Sequence, residues 1–459
     1  MISSTSGLKK RTNRCSSSLV SSSDLSELDP PKKLKSNDWF ELNDYDPHRE
    51  GDHHLASSFQ NLEWMDDLVC SHILQFLSPR LIFLQYRRVC KQWLAFSRRL
   101  KYSFRNIENE EEFNFLRKFL KMGYQIKDLE VSHITTIEME EWDDLSRSLM
   151  KHARLTCLKI TKCKIIDACI HKIFSLQNTT QQLTQLDLQG NSISNEGAQT
   201  ISRCQHLNKL TYLNISMNCM IGDEGIHELT TSGMLENLQS FILQRTNCSV
   251  RGVKSVALLN NLTHLDMSKN SISAEGVSNL VQNVVLCLNL RVLKMCHCGL
   301  RSAGINSLVS AEFHFTNLRH LDLEWNRLED EGIQTLSSSP LLKQVRYLNL
   351  KLNGLSDKGA QCIADSRYVI SLTALNLGQN RISNVGALAL LRSEVLRPRL
   401  QMLNLELNNI NENKKVENQL KQEPNYDEEL CDRMNSRVEE HLTVCLLKIK
   451  VDFFFWAGF

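Results

Sequence analysis

The chain has 459 residues, with 54 basic and 52 acidic side chains and a net charge of +2. That balance argues against a nucleic-acid coat protein or a binder of anionic membranes, and no apolar run reaches the roughly eighteen residues of a membrane span. Fifteen cysteines, an odd number without a spaced framework, and an opening Met1-Ile2-Ser3-Ser4-Thr5-Ser6 without an apolar core predict a reducing compartment, free thiols and chance sequons at Asn178, Asn214, Asn247 and Asn261.

Residues 1–55 are rich in Ser, Lys, Asp and Pro and lack an apolar period, which predicts a disordered arm. Lys9-Lys10-Arg11 and Pro30-Pro31-Lys32-Lys33-Leu34-Lys35 read as a solvated basic tail, with a nuclear import signal as the alternative. The expected location is therefore cytoplasmic, with the nucleus as the second option. His48-Arg49-Glu50-Gly51-Asp52-His53-His54 holds metal-capable side chains, but in polar linker rather than on a helix, so it reads as linker and no metal or cofactor is expected.

Apolar density rises at Leu62. Met65 to Leu77 carries a helical stripe through Val69, Ile73, Phe76 and Leu77, and Ser78-Pro79 breaks it. A second stripe runs through Phe83, Leu84, Val89 and Trp93. Together they predict a small helical unit over 60–100. This unit resembles an F-box, a family with an Ile-x-x-x-Leu helix, a short break and a basic Val-Cys-Lys-x-Trp helix. Ile73, Leu77, Val89, Cys90, Lys91 and Trp93 match that pattern. Met65-Asp66 stands where the family has Leu-Pro, and the gap from Ile73 to Val89 is one residue longer. The resemblance implies an adaptor-docking surface built from Val69, Ile73, Leu77, Leu84, Val89 and Trp93, with Trp93 anchoring the second helix on the first. The plain alternative is a helical cap on the solenoid that the C-terminal part of the chain predicts.

Residues 101–154 read as a linker and N-terminal cap. Asn109 to Leu120 predicts a helix with Phe113, Leu116 and Leu120 on one face, Phe115 and Phe119 beside it, and acids in the first turn where the helix dipole favours them. Ile126 to Val131 reads as a degenerate first repeat, covering the first core layer.

From 155 to 420 one phrase recurs. Leu318-Arg319-His320-Leu321-Asp322-Leu323-Glu324-Trp325-Asn326-Arg327-Leu328 has the pattern L-x-x-L-x-L-x-x-N-x-L, with Gly332 six residues after Asn326. Copies start at Leu155, Leu183, Leu210, Leu238, Leu262, Leu290, Leu318, Val345, Leu372 and Leu400, spaced 24 to 28 residues apart. A fixed period with a fixed apolar template marks a solenoid, and this template resembles the leucine-rich repeat. Within L-x-L the two apolar residues share one face of a strand. Leu321 and Leu323 are thus expected inward, and His320, Asp322 and Glu324 outward. The Asn side chain both donates and accepts, so stacked copies would form an amide ladder satisfying backbone groups at the bend. Cys163, Cys298 and Thr246 replace it in three copies. The Gly opens a segment of helical period, as at Gly276-Val277-Ser278-Asn279-Leu280-Val281. Packed helices need about 8–10 Å and strands about 4.8 Å, so stacking both predicts an α/β horseshoe with strands inside. After Ile410 the period stops. Residues 421–459 read as a C-terminal cap or tail, with Leu447, Ile449, Val451 and Phe453 alternating as in a strand.

Phosphate-binding Gly loops, H-E-x-x-H and G-x-S-x-G are absent from the sequence. In Cys296-His297-Cys298 the last cysteine already has a ladder role. The remaining candidate surface is the concave face, with Tyr212, His320, Asp322, Glu324, Tyr347 and Lys351 pointing outward and Trp325 at the strand exit. Gln185, Asp187, Asn214, Ser216, His264, Asp266, Lys294 and Asn349 share that face. Aromatic residues flanked by charges typify binding hot spots; the plain alternative is solvated side chains, with Trp325 packed on Leu352 and His297. Asp322→Ala is accordingly expected to shift stability by no more than about 0.5 kcal/mol.

The combined resemblance, an F-box followed by leucine-rich repeats, implies a non-catalytic substrate receptor of a cullin-type ubiquitin ligase. A Skp-type adaptor and cullin would be its partners, and a protein substrate would lie on the horseshoe. The alternative is a free-standing repeat scaffold or a relative of leucine-rich GTPase regulators, for which Arg245 and Arg291 are the available arginines.

Overall fold

The computed structural model describes residues 100–174, 182–204 and 207–410. The arm over 1–55, the F-box-like unit over 60–100 with its docking residues, and the tail over 421–459 lie outside those residues.

The described chain repeats strand and helix in sequence order. Three long strands come first, β1 (Lys101–Ile107), β2 (Gln125–Ser132) and β3 (Ala153–Thr161), each followed by a helix: α1 (Glu110–Lys121), α2 (Met139–His152) and α3 (Asp167–Phe174). Each later copy gives a three-residue strand: β4 (Gln185–Asp187), β5 (Tyr212–Asn214), β6 (Ser240–Ile242), β7 (His264–Asp266), β8 (Val292–Lys294), β9 (His320–Asp322), β10 (Tyr347–Asn349), β11 (Ala374–Asn376) and β12 (Met402–Asn404). Between them run α4 (Asn195–Ser202), α5 (Gly222–Thr231), α6 (Val250–Val256), α7 (Ser273–Val281), the short α8 (Val284–Asn289), α9 (Arg301–Val309), α10 (Glu329–Ser337), α11 (Asp357–Ala364) and α12 (Asn384–Arg392). The strands form one parallel 12-stranded sheet in the order β1 to β12. Corresponding residues face each other, as Val292, His320, Tyr347 and Ala374 do. Helices stack on the next helix in the same way, with α7 reaching α9 past α8. The molecule is an α/β solenoid.

The inward leucines behave as their spacing dictates. Leu321, Leu323, Leu348 and Leu350 are fully buried between sheet and helices. The sheet begins earlier than the repeat pattern. Ile126 to Val131 lies within β2 as expected, but β1 precedes it inside the segment read as linker. Aromatic rings fill this first layer. Phe119 stacks on Tyr124 with centroids 4.2 Å apart, and Phe113 meets Trp142 edge-on at 5.4 Å. Asn109 caps α1 by accepting from the Glu112 N–H. Arg117 ties α1 to α2 through Glu141 and Asp144, both at 2.7 Å.

Two ladders hold the turns. The first is the expected amide ladder. Asn326 Nδ2 donates to the carbonyls of Met295 and Leu323, and its Oδ1 accepts from Cys298 N–H and Leu300 N–H. Asn191, Asn270, Asn353 and Asn380 repeat this scheme. Thr246 takes only part of it, donating from its hydroxyl to Leu243 O.

The second ladder was not read from the sequence. Asp330, in the first turn of α10, accepts from the N–H and hydroxyl of Ser356 and from the N–H of Gly359 in the next copy. Asp357 does the same for Ser383 and Gly386, as Asp223 does for Ser249 and Gly252. Ser356 and Ser383 also cap their own helices. The repeat glycine is explained here. It lies inside the first turn rather than before the helix, and a Cβ at Gly386 would sit 2.6 Å from Asp357 Oδ1. The close approach of the carboxylate, not a left-handed backbone, requires Gly there.

Candidate functional site

The exposed side of the sheet is structured by its own polar residues more than the alternation suggests. On seven of the nine short strands the second outward position is an Asx turn, the exceptions being Ile242 on β6 and Lys294 on β8. Asp187, Asn214, Asp266, Asp322, Asn349, Asn376 and Asn404 each accept, through Oδ1, from the N–H two residues on. The turn ends these seven strands after three residues, while β6 and β8 stop at the same register without it. Asp187, Asn214, Asp266 and Asn349, read as outward and available, are in fact buried beneath their neighbours. Asp322 also accepts from the Cys296 thiol, and Asn349 Nδ2 bonds Glu324 at 3.1 Å. Asp322→Ala therefore removes the acceptor of a turn N–H and should cost about 1 kcal/mol or more, in place of the smaller effect expected of an exposed side chain.

The residue just before each ladder position has a positive φ. Met217, Arg245, Lys269, His297, Trp325, Leu352, Gln379 and Leu407 all lie between 50° and 59°, and Gly190 takes the same turn at 71°. The turn aims their N–H at a carbonyl of the next copy, as from Trp325 to Lys351 O at 2.9 Å. Only Gly adopts this backbone without penalty, and other residues lose about 1–2 kcal/mol there. Trp325 is thus a strained residue, and it is 49% exposed. Its indole stacks on His297, centroids 4.3 Å apart and planes 6° from parallel. Of the two neighbours expected to cover it, His297 does so.

One strand start away, His320 stacks on Tyr347 at 4.2 Å. The His320 Nε2 atom is buried and has no hydrogen-bond partner. Burial, and then the positive Lys294, push the His320 pKa down to about 4, while burial and Asp322 push the Tyr347 hydroxyl up to about 12. Burial also raises the Asp322 carboxyl, and burial with Asp322 raises the Cys296 thiol. Cys296, Asp322 and Glu324 bring donor atoms within 4.8 Å of one another. Their arrangement is a thiol donating to a carboxylate, with Asn349 holding the second carboxylate.

His320, Asp322, Glu324, Trp325, Tyr347 and Lys351 therefore fall together on β9 and β10. Tyr212 lies on β5, four strands away, where it faces Asp187 and Asn214. His297 and Cys296 complete the cluster from the turn after β8. Their signal in the sequence was the repeat register, which puts them one copy before Trp325 and Glu324. A separate open hollow of about 390 Å³ lies over β2 to β4, where Arg105 pairs with Asp128 and Lys159 with Glu130.

His320 gives a pH test. An unfolded chain takes up the proton near 6.5, whereas the folded chain resists it down to about 4. This contribution is complete above pH 6.5 and is lost as pH falls toward 4. Denaturation midpoints measured across that window should fall less steeply for His320→Phe, which keeps the stack on Tyr347. Parallel curves would contradict the burial of a neutral imidazole.

The described residues form an α/β repeat solenoid with one parallel sheet, exposing a polar and aromatic face, and leucine-rich repeats recur along it. The family described as "Leucine Rich repeat" matches residues 181–202, 206–229, 259–281, 314–337, 344–364 and 370–391. Among curated proteins, the human NACHT, LRR and PYD domains-containing protein 5 is 28% identical over 171 residues, covering 29% of this chain. The chain spans only 14% of that relative's length. Among solved structures, the yeast Rad7 and Elc1 complex has a chain of similar fold, with a TM-score of 0.50, 14% identity, and coverage of 78% of this chain and 92% of that one. Among the described residues no helix is long and apolar enough to cross a membrane, and the cysteines are free thiols.

Proposed function

We propose that the chain is the substrate-recognition subunit of a cullin-type ubiquitin ligase of the Skp–cullin–F-box kind. Residues 60–100 dock on a Skp-type adaptor, and the exposed sheet face centred on β9 and β10 holds a protein substrate. The chain does no bond chemistry. It raises the concentration of the substrate beside the conjugating enzyme. The observation that carries the binding face is Trp325, a half-exposed aromatic whose indole is fixed by stacking on His297. The same backbone carries other side chains in the other copies, so what marks Trp325 is its exposed aromatic surface, held by His297 and flanked by Glu324 and Lys351, which has the character of an interface anchor. The ligase part rests on the F-box resemblance, and the similar fold of a chain crystallised with a second protein, Elc1, is consistent with it.

The test is co-purification from cells. The full chain should bring down a Skp-type adaptor, a cullin and ubiquitin-modified protein. Trp325→Gly should keep the adaptor and lose the modified protein, with its stability changed little, because relief of the left-handed backbone is offset by loss of the stack on His297. Absence of any Skp-type adaptor from the wild-type complex would refute the ligase assignment and leave a repeat scaffold. Unchanged recovery of modified protein by Trp325→Gly would refute the assigned face.

A further inference from the structure

We propose that the edge where helices lead into strands, from β8 to β12, binds an acidic segment of a partner protein that also carries apolar side chains. This does not rest on the ligase reading. The observation is a substitution pattern at one position of the repeat, the residue after the first inward apolar side chain. Before β8 it is Thr184, Thr211, Gln239 and Thr263; after β10 it is Thr373 and Gln401. The threonines serve the stack, each donating its hydroxyl to a carbonyl of the previous copy, as Thr211 does to Thr184 O and Thr373 to Arg346 O. In three consecutive copies the position holds Arg291, Arg319 and Arg346, which give up that bond.

The backbone holds the three arginines in line. Arg319 N–H donates to Arg291 O and Arg346 N–H to Arg319 O, both at 2.8 Å. Three guanidinium side chains thus spring from points one strand apart, about 4.8 Å. Among the described residues, the ion pairs lie on β1 to β3 and α1 to α3, and none reaches these arginines. Arg319 spends one nitrogen on the carbonyls of Thr316 and Leu318. Further cations lie on the segments that lead into β10, β11 and β12, where Lys343 and Arg367 flank the Tyr368 ring and Arg399 donates to Ile370 O. Two carboxylates of the adjoining copies accept from neutral donors, Glu312 from the Ser339 hydroxyl and Asp365 from Gln361, and neither pairs with these arginines. Like charges in a row destabilise the free protein, so the arrangement gains from an anionic partner.

Apolar surface decides the class of that partner. Val285, Leu288, Phe313 and Ile370 are exposed on the same connecting segments. Asn317 Nδ2 donates to Leu288 O, which joins the segment before β9 to the one before β8. Aliphatic side chains offer little to a phosphodiester chain, whose bases stack on aromatic rings. Arginines rimming aliphatic and aromatic side chains complement a protein segment with acids and apolar anchors.

The test is fluorescence anisotropy on the full chain with a fluorescein-labelled peptide alternating Glu, Leu and Phe. Probes for comparison are the same peptide with Lys for Glu, and labelled oligo-dT. The acidic peptide should bind, and the two other probes should bind at least about tenfold more weakly, a difference of roughly 1.4 kcal/mol. The triple variant Arg291→Thr, Arg319→Thr, Arg346→Thr installs the residue that neighbouring copies carry, so it should fold by circular dichroism and lose at least about tenfold in affinity for the acidic peptide. Phe313→Ser, at an exposed site, should lose several-fold without any change of charge. No binding of the acidic peptide, or equal affinity in the triple variant, would overturn the proposal. Equal binding of oligo-dT with the same loss would assign the edge to nucleic acid instead.

Discussion

Asn326→Leu is expected to destabilise the solenoid by about 3 kcal/mol, the largest stability effect of any single change considered. Asn326 is 1% exposed and serves four backbone groups at once. Leucine has the same branched outline, is bulkier, and neither donates nor accepts. It leaves the N–H groups of Cys298 and Leu300 unsatisfied in the interior, at about 1–3 kcal/mol for each buried orphan. The Leu323 carbonyl keeps a bond from Asn353, which limits the loss. Chemical denaturation of wild type, Asn326→Leu and Trp325→Gly checks it. Asn326→Leu should lower the midpoint strongly and Trp325→Gly should move it little, because relief of the left-handed backbone offsets the lost stack on His297. Equal falls for the two variants would contradict the division of the turn into a ladder residue and a strained residue.

The largest expected effect on binding is at the adaptor surface. On the F-box reading, Ile73 and Leu77 lie in the stripe that a Skp-type adaptor covers. On the same reading, two apolar helices in a unit of about forty residues would not bury all their apolar surface alone, and a partner would complete it. Ile73→Asp with Leu77→Asp puts two carboxylates into that contact. Desolvating them unpaired costs several kcal/mol, so affinity for the purified adaptor should drop by about a hundredfold or more. Circular dichroism should stay unchanged, because the repeats stack on one another independently of that unit. Calorimetric titration with wild type and double variant makes the comparison. Equal affinity would refute the docking surface, and no binding by wild type would refute the F-box reading itself.

What the sequence by itself determined was whatever repeats with a period. The inward leucines, the amide ladder through Asn326, the parallel strands and the α1 helix were all legible. Each depends on local spacing that the solenoid then multiplies by translation. Even the grouping of His320, Asp322, Glu324, Trp325, Tyr347 and Lys351 came from register, since neighbouring copies must be neighbouring strands.

Tertiary structure decided what depends on contacts between copies. Strand alternation marked Asp187, Asn214 and Asp266 as outward, but only the stacked sheet shows that the next copy covers them and that their oxygens end the strands. Alternation specifies a direction, whereas burial depends on what the adjacent copy places there. The Asp330–Ser356–Gly359 ladder spans almost a full repeat between its members, so no local pattern exposes it. The strand β1 has no copy of the template, and its place is fixed by aromatic packing of Phe104 on Phe119 and of Tyr102 on Tyr124. The arginine row was visible as letters, but its meaning came from the bond that threonine makes at the same position, and that bond exists only between stacked copies.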